Sequence, residues 1–128
     1  MADEELVFPT EEIPDSDSVF MRAHRNLMRD GEIGRGVFTA HGGAMSVDWD
    51  KYSSAEATRK RGAKGAENYA VIKMAVIGIR HIRELDVKHS PMTDNRAHSD
   101  INLPEDEDLT EVRLNLGRIA TVVIPIES

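Results

Sequence analysis

Short stretches in which hydrophobic and polar residues alternate predict several β-strands. The first is residues 18–24, where Val19, Met21 and Ala23 alternate with Phe20, Arg22 and His24. Three further stretches have the alternation or the β-branched content of strands, namely 69–74, 85–89 and 97–103. In the last of these, the period of two places Ala97, Ser99 and Ile101 on one face and His98, Asp100 and Asn102 on the other.

Residues 37–49 carry the clearest local signal, that of a β-hairpin. Two short runs, 37–40 and 44–49, flank His41-Gly42-Gly43. A Gly-Gly connection supplies the positive φ angles that tight hairpins need. We therefore predict a β-hairpin over about residues 37–49. The glycines at positions 31, 34 and 36 predict a loop, or a single helical turn, before it.

Three segments predict helices. Ser53 and Glu56 have the spacing of a capping box, so a helix that starts there is expected to run to about Arg61. Residues 75–83 have apolar positions that recur at a spacing of three, which predicts a short helix. Near the C-terminus, apolar residues at intervals of four, three and four predict an amphipathic helix that Pro125 ends; they are Val112, Leu116, Ile119 and Val123.

Together these elements predict the α+β fold class, as a single small domain with a mostly antiparallel sheet and two or three helices. A length of 128 residues suits one domain. Residues 1–17 contain seven acidic residues, no basic residue and two prolines, which predicts an acidic flexible arm. The single α+β domain is therefore expected to span residues 18–128.

The net charge of −7 is unevenly distributed along the chain. Residues 18–103 hold 14 basic and ten acidic residues, a net charge of +4, and all five histidines. Residues 104–111 hold five more acidic residues. This pattern is seen in an anion-binding body screened by acidic segments, but it is more typical of acidic tails that keep a small protein in solution.

Composition and motifs exclude several classes of function. The chain has no cysteine, so it has no disulfide, no thiolate zinc site and no thiol nucleophile. No apolar run approaches the roughly 20 residues that span a bilayer. The sequence contains no phosphate-binding P-loop, no G-x-S-x-G motif and no H-E-x-x-H motif. We therefore expect a soluble, cytoplasmic protein of bacterial type, outside the common motif-bearing enzyme classes.

Metal-binding side chains flank a turn at Pro91. His89, Asp94 and His98 carry groups that bind zinc, manganese or iron. Their spacing across the turn matches no standard ligand pattern. We therefore predict no metal site and no cofactor.

Several cationic side chains are candidates for an anion-binding pocket. A guanidinium holds phosphate or carboxylate in two-point contact, and an imidazole transfers a proton to or from oxygen. The candidate catalytic residues are His98, as general acid or base, with Arg80 and Arg22 on the anion. If these groups converge, they form a pocket for a phosphorylated or nucleotide-like ligand.

Polar neighbours of these residues are candidates for ligand binding. They are His24 in the first strand, Asn95, which would orient the ligand, and Arg96. The alternative is structural. Arg22 and His24 would form an exposed strand face, Arg80 and Arg83 would pair with Glu84 and Asp86, and Asn95 and His98 would form hydrogen bonds within the turn.

Two motifs carry a resemblance to a protein family. The stretch SVDWDKY at residues 46–52 and the stretch NRAH at residues 95–98, after a proline turn, resemble small uncharacterised bacterial proteins with S-V-D-W-x-K-Y and N-x-A-H motifs. The resemblance covers most of residues 18–123. It attaches no activity, and it implies only that the two stretches share a surface, which adds Ser46 and Asp48 to the ligand-binding candidates.

The sequence favours a small cytoplasmic binding or interaction module, whose acidic arm and acidic residues 104–111 would dock on a basic protein partner. The alternative is an enzyme or sensor for a phosphorylated small ligand or nucleotide, using the Arg/His/Asn pocket. Nucleic-acid binding through Arg59, Lys60, Arg61 and Lys64 is less favoured, because the net charge is −7. We expect no membrane partner, and the sequence leaves the oligomeric state open.

Overall fold

An antiparallel sheet is the centre of the fold in a computed structural model of the chain, which describes residues 8–40, 42–83, 85–104 and 108–126. Its six strands are β1 (Ser18–His24), β4 (Ala44–Trp49), β5 (Tyr69–Ala75), β6 (Val87–His89), β7 (His98–Asn102) and β8 (Thr121–Ile124). They lie in the order β6-β7-β4-β1-β5-β8. Two shorter strands, β2 (Met28–Arg29) and β3 (Glu32–Ile33), pair separately.

Three α-helices are described: α1 (Ala55–Lys60), α2 (Val76–Arg80) and α3 (Thr110–Ile119). No described helix is long and apolar enough to cross a bilayer. The predicted α+β class, a single small domain with a mostly antiparallel sheet, is confirmed.

One face of the sheet, here called the first face, carries the hydrophobic core. Val19 is paired with Trp49 on one side and with Met74 on the other, so the side chains of all three point to the same face. The helices α2 and α3 cover this face, because Val76, Ile79, Val112 and Leu116 belong to the same buried cluster.

The opposite, second face is covered over only part of its width. Arg22 and Asp48 point to this face, and both bond to Thr58 of α1, so α1 lies over β1 and β4 there. Farther along the face, toward β7, Ser46 is exposed and His98 is partly exposed. Ser46 of β4 and His98 of β7 therefore remain accessible on the second face, whereas Asp48 is buried.

The alternation of the predicted strands is confirmed. The strands at 18–24 and 69–74 appear as β1 and β5, and the residues Ala97, Ser99 and Ile101 are fully buried as one side of the stretch that forms β7.

The first helix is capped by Ser54, whose Oγ accepts from the backbone N of Ala57, rather than by Ser53. The capping prediction was therefore wrong by one residue.

The C-terminal amphipathic helix is confirmed as α3, with Val112 and Leu116 buried. It ends at Ile119 rather than at Pro125, because Ala120 is extended and the β-branched run 121–124 pairs with β5 as strand β8. Val123 therefore belongs to a strand, and its place in the helical stripe was a wrong prediction.

The predicted hairpin over residues 37–49 is wrong. Gly42 and Gly43 do have positive φ angles, of 66° and 88°, but β4 pairs with β1 and β7 instead of with residues 37–40. The residues before the turn form a 3-10 helix at Arg35–Val37, and Phe38 is buried in the core beneath α3. Hydrophobic burial of a loop, rather than strand pairing, explains the apolar character of this run. His41 lies outside the described residues.

The N-terminal segment, defined here as residues 8–17, follows the surface of the domain without helix or strand. Ile13 is buried in the hydrophobic core, and its carbonyl accepts from Arg80 at 2.9 Å. Residues 1–7, the rest of the predicted acidic arm, lie outside the described residues. The core of the domain thus takes in a residue of the sequence that precedes β1.

The second acidic segment, residues 104–111, is described except for 105–107. Asp108 Oδ1 accepts from both the hydroxyl and the backbone N of Thr110, the first residue of α3. These two hydrogen bonds hold the pKa of Asp108 below its ordinary value. This acidic residue therefore helps to begin the helix.

Candidate functional site

Two distant stretches of the sequence, residues 46–52 and 95–98, meet in the structure. Asn95 Nδ2 donates to Asp48 Oδ1 at 2.8 Å, and His98 Nε2 lies 3.2 Å from Ser46 Oγ. The Arg96 guanidinium stacks over the Tyr52 ring at 4.1 Å. Because the strands β4 and β7 pair directly, the backbone brings these side chains together on both faces of the sheet.

On the second face, four polar residues form a group called here the Ser46–His98 cluster: Ser46, Ser90, His98 and Asp100. His98 Nδ1 lies 2.9 Å from the carbonyl oxygen and 3.0 Å from Oγ of Ser90. Ser90 Oγ donates in turn to Asp100 Oδ2 at 2.8 Å. Ser46, His98 and Asp100 lie on the paired strands β4 and β7, and Ser90 follows β6 and donates its backbone N–H to the His98 carbonyl. The side chains are therefore held in fixed relative positions.

Asp48 is the centre of a separate, buried network beside this cluster. Its side chain is 5% exposed and forms an ion pair of 2.7 Å with Arg61 Nη1. Thr58 Oγ1 also donates to this carboxylate, at 2.8 Å, in addition to the amide of Asn95. The network joins β4, α1 and the turn before β7, which gives Asp48 and Asn95 structural contacts within the chain.

On the first-face side, the N-terminal segment inserts a carboxylate between basic and aromatic side chains. Lys51 Nζ donates to Glu11 Oε1 at 2.7 Å, and the Tyr52 hydroxyl donates to Oε2. Arg96 Nη2 lies 3.7 Å from Oε2, and the backbone N of Glu11 donates to His89 Nδ1 at 3.0 Å. We call these four partners, Lys51, Tyr52, His89 and Arg96, the Glu11 site.

The aromatic rings behind Glu11 fix the shape of this site. The His89 ring lies 5.0 Å from Trp49 and 6.1 Å from Tyr52, measured between ring centroids. Because Nδ1 of His89 accepts from Glu11, its other nitrogen carries the proton and donates to the Arg96 carbonyl at 2.7 Å. His89 therefore links the N-terminal segment to the backbone of residues 95–98.

The candidate catalytic residues do not converge. Arg80 lies in α2 over the first face, where its guanidinium donates to Asp15, Asp86 and two carbonyls. Arg22 and His98 point to the second face, and Arg22 donates to the Thr58 carbonyl under α1. A cavity of about 320 Å³ beside Arg80 is lined by residues 10–13 and 86–89. Arg22 and His98 take no part in it, so the described residues form no common Arg22–Arg80–His98 pocket.

The remaining ligand-binding candidates have individual surroundings. His24 Nδ1 accepts from the backbone N of Asn26, and its ring packs edge-on against Tyr69. Arg96 does hold an anion, but the anion is the Glu11 carboxylate of the same chain. His89 and His98 point to opposite faces of the sheet, because they are separated by one position in the pairing of β6 with β7.

Sequence reasoning did not identify Glu11, Lys51, Tyr52 or His89 as parts of one site. Lys51 and Tyr52 are adjacent, and an acidic segment needs cations to bind it, so charge complementarity within the chain was a usable signal. The pairing of residue 11 with residue 51 depends on the course of the N-terminal segment over the sheet. No local pattern contains that course.

The Glu11 contacts predict a pH-dependent contribution to stability. The hydrogen bond from Lys51, followed by that from Tyr52, holds the pKa of Glu11 below its ordinary range. A carboxyl with a lowered folded-state pKa stabilises fully above its unfolded value, about 4.3, and loses this as the pH falls through the lowered value. We expect Glu11→Gln to lower the melting temperature at about pH 7 and to lower it less at about pH 3.

Thermal unfolding followed by circular dichroism at both pH values checks this expectation. Glu12→Gln is the matched control, because Glu12 is the exposed neighbour of Glu11. A difference between Glu11→Gln and the wild type that is equal at both pH values would contradict it.

Comparisons with known protein families, with curated proteins and with solved structures give no match for this chain. The resemblance of residues 46–52 and 95–98 to a bacterial family therefore stays a prediction.

Proposed function

We propose that this protein is a binding module that recognises an extended acidic peptide segment at the Glu11 site. The observation that carries the proposal is the set of contacts made by the Glu11 carboxylate. It accepts hydrogen bonds from the Lys51 ammonium and the Tyr52 hydroxyl, and it lies beside the Arg96 guanidinium. Two cations and an aromatic hydroxyl around one carboxylate are typical of acidic-motif recognition. In this structure the N-terminal segment occupies the site.

The occupied site also suggests which peptide features are read. The Phe8 ring lies 5.1 Å from the Arg96 guanidinium, Glu11 fills the site, and Ile13 is buried in the core. One aromatic, one acidic and one aliphatic side chain thus follow one another at spacings of three and two residues. The backbone contributes as well, through the Glu11 N–H and the Ile13 carbonyl. We infer that a peptide with this pattern binds in the same way.

Docking of the acidic arm on a separate basic partner has less support. Three of its described acidic residues already have partners in the same chain: Glu11 with Lys51, Asp15 with Arg80, and Asp17 with the indole N–H of Trp49. A basic partner would have to displace these contacts. The N-terminal segment therefore acts as an intramolecular ligand of its own chain.

The phosphate-ligand alternative also has less support. Two carboxylates, those of Asp15 and Asp86, lie on the Arg80 guanidinium where a phosphate would bind. In the basic cluster proposed for nucleic acid, Arg59 is 7% exposed and donates to the Tyr69 carbonyl, and Arg61 pairs with Asp48.

We place the module in the bacterial cytoplasm, which suits its cysteine-free sequence.

The test is binding of a labelled peptide by the full-length protein. The peptide has the sequence of residues 8–15, FPTEEIPD, with a fluorescent label, and binding is followed by fluorescence anisotropy. In the wild type the intramolecular segment competes. Glu11→Gln weakens that competitor, so this variant is expected to bind the peptide about threefold tighter or more than the wild type.

Two controls make the result specific. Adding Arg96→Ala to Glu11→Gln is expected to remove the gain, whereas adding Arg118→Ala, an exposed arginine of α3 that contacts Asn115, is expected to leave it. A peptide in which the first glutamate is glutamine is expected to bind more weakly. Absence of binding to Glu11→Gln, or equal binding by the Arg96→Ala and Arg118→Ala proteins, would refute the proposal.

A further inference from the structure

We infer that Ser46 is an activated nucleophile with His98 as its base, able to accept an acyl or phosphonyl group from an ester-type substrate. This inference concerns the second face and stands independently of peptide binding at the Glu11 site. Ser46 is exposed, and its Oγ lies 3.2 Å from His98 Nε2. A serine within hydrogen-bonding reach of a histidine that a third group orients is the arrangement of nucleophilic catalysis.

The hydrogen bonds determine the direction of proton transfer. A carbonyl oxygen only accepts, so the nitrogen 2.9 Å from the Ser90 carbonyl, Nδ1 of His98, carries the proton. In neutral imidazole the other nitrogen, Nε2, then has a free lone pair. Ser46 Oγ–H is therefore the donor to Nε2, which is the polarity that a general base requires.

A carboxylate lies where positive charge would develop on His98. Asp100 Oδ1 is 3.9 Å from His98 Nε2, and its other oxygen accepts from Ser90 Oγ. Proton uptake by Nε2 produces an imidazolium, which a neighbouring carboxylate stabilises. Asp100 is thus a positioning and charge-stabilising residue, while Ser46 and His98 would touch the reacting atoms.

The backbone of Ser46 supplies a donor next to its hydroxyl. Along β4 the N–H groups alternate between the two neighbours: that of Trp49 donates to Ala97 on the β7 side, and that of Asp50 donates to Ser18 on the β1 side. The N–H of Ser46 therefore points toward β1. Among the described residues the β1–β4 pairing stops at Phe20 and Asp48 and does not reach Ser46.

An N–H next to the nucleophile has a defined use in acyl transfer. When a nucleophile attacks a carbonyl or phosphoryl group, negative charge develops on the group's oxygen, and backbone N–H groups near the nucleophile stabilise it. Such a donor lies next to the end of the β1–β4 register, at the residue that also carries the hydroxyl.

The proposed reaction is acyl transfer to Ser46 followed by hydrolysis of the acyl-serine. Ser46 Oγ forms a bond to the acyl carbon of an ester, and its proton passes to His98 Nε2. The bond from that carbon to the leaving oxygen breaks, and His98 returns the proton to the leaving alcohol. Water then attacks the acyl-serine, and its hydroxyl ends on the acid while its hydrogen restores the Ser46 hydroxyl. The substrate class is therefore an activated carboxylic ester.

A fluorophosphonate is the test reagent, because it stops after the first step. The Oγ–P bond forms, the P–F bond breaks with loss of fluoride, and the proton leaves through His98. We expect intact-protein mass spectrometry to show one adduct on the full-length wild type, and peptide mapping to place it on Ser46. Ser46→Ala is expected to abolish it, and His98→Gln to slow labelling about 100-fold.

Two further variants separate chemistry from folding. His81→Gln alters an exposed histidine remote from the cluster and is expected to label at the wild-type rate. Asp100→Asn keeps the shape of the side chain and is expected to slow labelling less than His98→Gln does. Circular dichroism confirms that each variant is folded. Absence of an adduct on folded wild-type protein, or a Ser46 adduct whose rate does not depend on His98, would overturn the inference.

Discussion

Replacing Asp48 with alanine is expected to lower the free energy of unfolding by about 3 kcal/mol. The carboxylate is 5% exposed and accepts from Thr58, Arg61 and Asn95. Its removal leaves three donors in a mostly buried position without their acceptor, and one of them is charged. Arg61 is 31% exposed and regains some hydration, which keeps the loss at the lower end of that for a buried ion pair.

Urea unfolding followed by circular dichroism measures this loss. Asp94→Ala is the matched control, because Asp94 is an exposed aspartate next to Asn95, and its effect is expected to stay within about 0.5 kcal/mol. A loss below about 1 kcal/mol for Asp48→Ala would show that the network is not a stabilising link between β4 and α1.

Phe38→Ala is expected to cost about 4 kcal/mol of unfolding free energy. The ring is 1% exposed, and its edge lies close to α3 at Gly117. The Arg113 side chain also donates to the Phe38 carbonyl at 3.0 Å, which ties the loop to the same helix. Truncation to alanine removes the hydrophobic contacts and leaves a cavity between the loop, α3 and the sheet.

The same unfolding experiment applies, with Leu27→Ala as the control, since Leu27 is 38% exposed and its truncation is expected to cost less than 1 kcal/mol. Similar losses for the two variants would mean that the loop does not contribute to the core. The result also distinguishes a packed loop from the hairpin strand that the sequence predicted at this position.

Part of the fold was predictable because some of its elements bury one side and leave the other more accessible. The alternation in β1 and β7 and the spacing of Val112 and Leu116 in α3 reflect that burial in the local sequence. The wrong hairpin prediction shows what a local pattern cannot determine. A glycine pair defines a turn, but whether the preceding residues pair as a strand depends on which other strands compete for β4.

A true two-residue hairpin lies closer to the N-terminus. Asp30 and Gly31 both have positive φ angles and connect β2 to β3. Asp-Gly is a stronger hairpin signal than the Gly-Gly pair, but the glycines that follow it led to the prediction of a loop.

The candidate site was only partly predictable, because its contacts join residues far apart in the sequence. The shared-surface expectation concerned residues 46–52 and 95–98, which meet through the pairing of β4 with β7. The course of residues 8–17 and the helix that carries Arg80 determine the other contacts. These contacts depend on the complete sheet order, which cannot be predicted from the periodicity of the sequence.

The sheet order has a consequence for the way this chain folds. The first strand, β1, lies in the interior of the sheet between β4 and β5, and it is paired with β5 along its whole length. As the chain leaves the ribosome, β1 emerges before either neighbour exists. The last residue of β4, Trp49, follows His24 by 25 positions, and that of β5, Ala75, by 51, so β1 lacks its full-length partner until then. Such long-range closure slows folding, and until it is complete the nascent chain exposes the apolar side chains of β1.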